Sequence, residues 1–256
     1  MKKINILILL ALVSLTSYSN AATPTLNNKA TANDKTTANK LTNSRVSDER
    51  QVSNFSGISA GGSLEIKVTM GNKESLRLEG DADAIANITT EVVDGILVIK
   101  PKTKWSNWST RFGNNRIKVY ITAKKLNSIA MSGSGSLTLE NTLNTTELST
   151  SLSGSGTING TANVKNLRVT LSGSGNMNIS GKSESSSLTV SGSGTFKGKN
   201  FSSDNVSVQV SGSADVYTGT VNKALDAVVS GSGSVNYSGN AVVKKTVIGS
   251  GSVSKN

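Results

Sequence analysis

A four-residue phrase, Ser-Gly-Ser-Gly or a close variant, recurs seven times in the second half of this 256-residue chain. Neighbouring copies begin 18 to 21 residues apart, at Ser132, Ser153, Ser172, Ser191, Ser211, Ser230 and Ile248. A flexible Gly/Ser linker has no reason to keep such a period, whereas a stack of structural units requires one. The phrase therefore indicates a repeat architecture over 132–256, with about seven repeats of roughly 19 residues.

Apolar residues flank the phrase at fixed offsets. The residue before each copy is always apolar: Met131, Leu152, Leu171, Val190, Val210, Val229 and Val247. So is the residue five positions after each start: Leu137, Ile158, Met177, Phe196, Val216, Val235 and Val253. A third column, five residues before the phrase, is interrupted by Ser186. Apolar positions that alternate along the chain and recur from copy to copy predict an all-β fold, a parallel β-helix with coils about 4.8 Å apart.

The phrase itself is predicted to form the corner of each coil. Glycine at its second and fourth positions allows a sharp turn or a close approach of two backbones, and Ala214 shows that one fourth position accepts a methyl group. Serine at the remaining positions forms outward ladders, represented by Ser155, Ser174 and Ser193, which are candidates for binding glycan or ice. The alternative is that these hydroxyls satisfy one another at the corners.

Residues 51–131 form a β-rich head region that leads into the coils. Leu64, Ile66 and Val68 alternate with polar residues, which is typical of a half-buried strand. Asp94-Gly95 predicts a hairpin turn between two further strands.

The first 50 residues are predicted to contain no part of the fold. Residues 1–21 combine two lysines, an apolar run of about twelve residues and a small-residue cleavage site, which indicates a signal peptide. Residues 22–50 are rich in Thr, Asn, Ala and Lys and predict a disordered spacer. No later segment resembles a transmembrane helix, so we expect a soluble, exported protein that is periplasmic, associated with the outer membrane or extracellular.

Composition excludes several chemistries. The chain has no cysteine and no histidine, which removes thiol nucleophiles and the commonest general base and metal ligand. We therefore expect no metal, no cofactor and no catalytic residues. The formal net charge of +11 is spread along the chain instead of concentrated in a patch with aromatic residues, so nucleic acid is not an expected partner.

Three features together resemble the DUF2807 family of autotransporter adhesin-like proteins with a head GIN domain. They are the Gly-Ile-Leu-Val-Ile segment at 95–99, the Ile-Lys-Val-Tyr-Ile-Thr segment at 117–122, and the repeated corners. The resemblance covers about residues 52–256. It implies a right-handed, single-chain β-helix in an exported bacterial protein with an adhesin-like role, and it brings no catalytic residues.

One head segment carries the best ligand-binding candidates. Lys104, Trp105, Trp108 and Arg111 lie between two predicted strands. Aromatic faces beside cations suit the stacking of sugars, including acidic sugars. The alternative is that both tryptophans fold back as a lid over the head or the first coil.

These observations favour an adhesin-like binding or scaffold module of the cell envelope or surface that recognises polysaccharide or another envelope component and is not an enzyme. One alternative is a carbohydrate-active β-helix enzyme, for which Glu184 and Asp204 are the carboxylates able to lie on adjacent coils. Another is a purely structural envelope protein. Unpaired strand edges at the last coil also predict an end-to-end homodimer.

Overall fold

The computed structural model describes residues 45–102 and 117–256. Within these ranges the chain forms eighteen strands and one short helix. The first part contains β1 (Arg45–Arg50), β2 (Gly57–Gly61), β3 (Glu65–Met70), β4 (Ser75–Asp81), α1 (Ala82–Ala86), β5 (Ile88–Val93), β6 (Ile96–Pro101) and β7 (Lys118–Ala123). The repeats contain β8 (Ser128–Gly133), β9 (Ser136–Leu139), β10 (Leu143–Gly154), β11 (Thr157–Gly173), β12 (Asn176–Gly192), β13 (Thr195–Lys197), β14 (Phe201–Gly212), β15 (Asp215–Gly231), β16 (Ser234–Ser238), β17 (Val242–Ile248) and β18 (Ser252–Lys255).

The repeats stack as parallel coils, which confirms the predicted β-helix. Gly133 pairs with Gly154, Gly154 with Gly173 and Gly173 with Gly192, so the phrases lie directly above one another. Strand segments that run into these corners form one sheet surface, the pre-corner face. Segments that leave the corners, beginning in the repeats with β9 and ending with β18, form a second surface, the post-corner face.

The predicted apolar columns form the core. Leu171 before a corner and Met177 after it are both fully buried, and the same holds for most of their equivalents in neighbouring coils. Ser186, which interrupts the third column, is also buried, and its hydroxyl lies 2.8 Å from the Ser183 hydroxyl. Ser183 in turn lies 2.8 Å from the hydroxyl of Ser203 on the next coil. The interruption is tolerated because the buried hydroxyls hydrogen-bond one another.

The two glycines of each corner meet different requirements. Gly173, at the second position, has a φ of 107°, a conformation that other residues rarely adopt. Gly175, at the fourth position, lies so close to the coil below that an added Cβ would be 2.8 Å from the Gly156 carbonyl oxygen. Ala214 is fully buried in the one copy that carries a methyl group there.

The head supplies further rungs of the same sheet, where a rung is one strand before a corner together with the strand after that corner. β2 lies between β6 and β8, and β3 lies between β7 and β9, with all of these neighbours parallel. The rung made by β2 and β3 is therefore inserted out of sequence order between two others. Its corner, residues 61–64, reads Gly-Gly-Ser-Leu and aligns with the Ser-Gly-Ser-Gly corner that begins at Ser132. β8 itself crosses the predicted boundary between head and rod at residue 131.

Three antiparallel strands cover the end of the stack. β5 pairs with β6, β4 pairs with β7, and β1 pairs with the outer edge of β4. The structure differs here from the predicted disordered spacer, because Arg45–Arg50 within 22–50 forms β1. The Arg50 guanidinium donates hydrogen bonds to the Ile85 and Ile88 carbonyl oxygens, at 2.9 and 2.7 Å, which attaches this polar strand to α1 and β5. The predicted signal peptide lies outside the described residues.

Candidate functional site

The tryptophan segment connects β6 to β7 in the sequence. β6 ends at Pro101 and β7 begins at Lys118. These two strands lie beside β2 and β3, which the short corner 61–64 joins. The candidate residues Lys104, Trp105, Trp108 and Arg111 lie between them, outside the described residues. Their role in binding a ligand stays a prediction.

The predicted serine ladder lies at the solvent-exposed corner. Ser155, Ser174 and Ser193 are all exposed and stack on consecutive coils. Their backbone N–H groups donate to the Gly133, Gly154 and Gly173 carbonyl oxygens at 2.9 to 3.0 Å. No hydrogen bond between described side chains engages their hydroxyls, so this part of the structure shows no self-satisfied network at the corners. The hydroxyls point to solvent, where they can donate to and accept from a ligand.

The pre-corner face continues this hydroxyl-rich surface. Outward positions on the three central coils carry Ser151 and Ser153, Thr170 and Ser172, and Thr189 and Ser191. Arg168 is the nearest charged residue on these strands, and Asp226 lies three coils beyond Arg168. Parallel strands place equivalent hydroxyls about 4.8 Å apart along the rod axis. The result is a regular, largely uncharged array of hydrogen-bonding groups.

The two carboxylates named for the enzyme alternative lie opposite each other. Ser183 pairs with Ser203 and Ser185 with Asn205, which places Glu184 beside Asp204 on adjacent coils. Asp204 is not a suitable general acid, because Lys223 forms a 2.8 Å ion pair with it and Asn222 donates a 3.1 Å hydrogen bond to it. These contacts, that of Lys223 first, hold the pKa of the Asp204 carboxyl below its usual range.

A retaining glycosidase needs one protonated carboxylic acid and one carboxylate about 5 Å apart. Register brings Glu184 and Asp204 to about one strand spacing, and the ion pair keeps Asp204 ionised at neutral pH, so that Asp204 could serve only as the carboxylate of such a pair. In residues 45–102 and 117–256, no group of three or more acidic, histidine or cysteine side chains could hold a metal ion. No helix in the described part of the chain is long and apolar enough to cross a membrane.

A second row of side chains, not identified from the sequence, runs along the post-corner face. Seven outward positions on consecutive rungs are held in register by six pairings of parallel strands. The same column continues beyond them with Asn236 and Ser254. From the head towards the repeats, they are Tyr120, Lys67, Thr138, Asn159, Asn178, Lys197 and Tyr217. We call this set the axial row. Its residues are scattered in the sequence, because β3 and β7 enter the stack out of order.

Cations lie over the tyrosine rings at both ends of the axial row. The Arg77 guanidinium carbon is 4.4 Å from the centre of the Tyr120 ring. The Lys199 Nζ is 4.9 Å from the centre of the Tyr217 ring. Between the ends, the Asn178 Nδ2 donates a 2.6 Å hydrogen bond to the Asn159 Oδ1, which fixes the orientation of both amides. The row thus presents aromatic, cationic and amide groups on one flat surface.

The last rungs bear on the predicted end-to-end homodimer. Ala227 is the last buried residue of one column on the pre-corner face. Lys245 in β17 pairs with Ala227 and takes the next position in that column, where it is exposed. Charged residues at inward positions discourage the pairing of one strand edge with another. The homodimer stays a prediction, and Lys245 counts against it.

Solved structures similar to this chain share its fold. A structure titled a "putative adhesin" from Bacteroides fragilis NCTC 9343 has 24% sequence identity and a TM-score of 0.76, covering 83% of this chain and 97% of that one. One titled "putative adhesin" from Parabacteroides distasonis ATCC 8503 has 18% identity and a TM-score of 0.71, with 84% and 98% covered. One titled "Putative lipid binding protein", from the same strain, has 24% identity and a TM-score of 0.65, with 83% and 96% covered.

No curated protein matches the chain in sequence. The model of one protein family matches residues 54–241, which span β2 to β16 and therefore include both the inserted rung and the repeated corners. This chain belongs to the DUF2807 family, described as "Putative auto-transporter adhesin, head GIN domain".

Proposed function

We propose that this protein is an exported, non-enzymatic adhesin-like module that binds polysaccharide at the bacterial envelope or surface. The observation that carries the proposal is the long, regular surface of exposed hydroxyl groups on consecutive coils, including Ser155, Ser174 and Ser193. Sugar hydroxyls are both donors and acceptors, and a serine or threonine hydroxyl can serve each of them in the same way. A rod with such a surface displays many equivalent contacts to a repeating polymer.

Family membership supports the adhesin-like role, and the predicted signal peptide supports export. The tryptophan segment adds a second candidate contact, because Trp105 and Trp108 offer aromatic faces beside Lys104 and Arg111. The segment follows β6 and precedes β7. Its two ends therefore lie at the rung made by these strands, next to β5 and β4. A polysaccharide bound by both features extends from the head along the rod.

The proposal is tested on a glycan array that also carries bacterial lipids, since one similar structure is titled a lipid binding protein. Three proteins beginning at residue 22 are compared: wild type, Trp105→Ala with Trp108→Ala, and Ser155→Ala with Ser174→Ala and Ser193→Ala. Circular dichroism confirms that each variant folds. We expect wild type to bind polysaccharide and at least one variant to lose that binding. Wild-type binding to lipid alone, or to nothing on the array, contradicts the proposal.

Enzymatic activity is tested on the glycans that bind. Each is incubated with wild type and with Glu184→Gln/Asp204→Asn, and new reducing ends are measured over time. We expect neither protein to release them. Release by wild type that is lost in the double variant would replace the binding proposal with the carbohydrate-active enzyme, whereas a folded protein with no glycan partner would leave the structural envelope role.

A further inference from the structure

We propose that the axial row on the post-corner face binds an acidic, unbranched polysaccharide that lies parallel to the rod axis. This inference rests on the proposed function, which it deepens by naming a second surface, a class of glycan and a direction of binding. It involves no residue of the tryptophan segment and none of the serine ladder.

The axial row is the part of this column that carries its aromatic and cationic side chains. A tyrosine stands at each end, a lysine lies next to each tyrosine, and three neutral hydroxyl or amide residues lie in the middle. Six strand spacings of about 4.8 Å separate Tyr120 from Tyr217, which gives the row a length of roughly 29 Å. A surface of this length is far longer than a monosaccharide and suits an extended chain of several sugars.

The charges of the axial row are complementary to an acidic polymer. Lys67 and Lys197 are its charged members, and no aspartate or glutamate belongs to it. Arg77 and Lys199, over the two rings, add a cation at each end, and Arg77 also forms a partly exposed ion pair with Glu79. Lys67 forms an ion pair with Glu140 at 3.7 Å, with both side chains 40% exposed, and a pair so open to solvent exchanges readily for a ligand carboxylate.

The spacing of the two lysines explains why a polymer is the fitting ligand. They lie four strand spacings apart, or roughly 19 Å, so that a single small acid reaches one lysine only. A polymer that contacts one end of the row is held near the other, and its second contact forms at a high effective concentration. Thr138, Asn159 and Asn178 lie between the lysines and provide hydrogen bonds to the intervening sugars.

Polygalacturonate is the probe for the test, and binding to the protein from residue 22 is measured by titration calorimetry at low ionic strength. The row variant is Lys67→Gln/Lys197→Gln, and the matched control is Lys124→Gln/Lys125→Gln, which removes the same charge from an exposed turn between β7 and β8. We expect the row variant to lower the affinity about tenfold and the control to change it less than about twofold. Tyr120→Ala and Tyr217→Ala each lower it by about three- to tenfold.

Several results overturn the inference. Equal losses in the two lysine variants would show that the basic surface as a whole attracts the polymer, and equal affinity for DNA would show unspecific binding of polyanions. Binding of polygalacturonate that is lost only in the tryptophan or serine variants would refute the axial row and leave the proposed function intact. Failure of wild type to bind polygalacturonate refutes the row as well, while binding of neutral glycans on the array would preserve the proposed function.

Discussion

The side chain of Asn141 forms two hydrogen bonds with the backbone of Met70. Its Oδ1 accepts from the Met70 N–H at 2.8 Å, and its Nδ2 donates to the Met70 carbonyl oxygen at 3.0 Å. The amide therefore takes the place of a neighbouring strand at the end of β3, where the chain leaves the stack towards β4. Asn141 follows β9, so this contact joins a head rung to the first coil of the repeats.

Replacing Asn141 with alanine should lower the free energy of unfolding by about 1–2 kcal/mol, because two backbone groups lose their partner. Urea titration measures the change. Asn144→Ala, which removes an exposed contact with Asn163 only, is the control and should cost less than about 0.5 kcal/mol. Equal effects of the two substitutions would contradict a structural role for the Asn141 amide.

Gly173→Ala should destabilise the rod by about 3 kcal/mol or more. Its φ of 107° strains a residue with a side chain, and the added Cβ would lie 2.7 Å from the Gly154 carbonyl oxygen. Ser174→Ala, one residue further on and exposed, should change the stability by less than about 0.5 kcal/mol. A Gly173→Ala protein as stable as wild type would show that the corner can rearrange.

Arg50→Met should release β1 from the rest of the fold. The substitution removes the hydrogen bonds to Ile85 and Ile88 and should cost about 2–3 kcal/mol while keeping an aliphatic side chain. Hydrogen exchange should become faster in Arg45–Arg50 and remain slow in β12. Arg45→Met, on the same strand but exposed, should leave exchange unchanged, and faster exchange throughout the rod would indicate global unfolding instead.

The ion pair of Asp204 predicts a pH effect of known sign. Hydrogen bonding to Lys223 lowers the pKa of Asp204 below its ordinary value of 3.8, so the pair stabilises the fold above that pH. This contribution is lost as the pH falls through the lowered pKa. A carboxyl NMR titration should therefore give a lower pKa in wild type than in Lys223→Gln. Identical titration curves in the two proteins would contradict the ion pair.

The rod follows from the sequence because its determinants recur. Met131 and its equivalents up to Val229 are buried in successive coils, and together with the repeated glycines they form a pattern that only stacked coils satisfy; Val247, in the last coil, is exposed. The inserted rung does not follow, since its Gly-Gly-Ser-Leu corner at 61–64 lacks the repeated phrase and its partners lie far away in the chain. β1 was missed for a related reason: its polar sequence is held by pairing with β4 and by the side chain of Arg50, and not by burial.

The two candidate surfaces also differ in how far the sequence alone could predict them. The serine ladder is local to the repeated phrase, so the repeat alone assigns its exposed residues to consecutive coils, and its role in binding stays a prediction. The axial row depends on which rungs become neighbours, so Tyr120 and Tyr217, 97 positions apart in the sequence, share a row only after the head strands enter the stack. Periodicity within the repeats could not reveal that relationship, because Lys67 and Tyr120 lie outside them.

Binding of an extended glycan along the axial row is tested most directly by measuring how the affinity depends on the length of the glycan. Wild-type protein is titrated with oligogalacturonides, from a disaccharide to chains longer than the axial row. Binding along the axial row predicts a weak affinity for the shortest chains and an affinity that rises until the oligosaccharide spans from Tyr120 to Tyr217, then levels off. A disaccharide that binds as tightly as the polymer, or the absence of binding at every length, would contradict recognition of an extended acidic polysaccharide along the axial row.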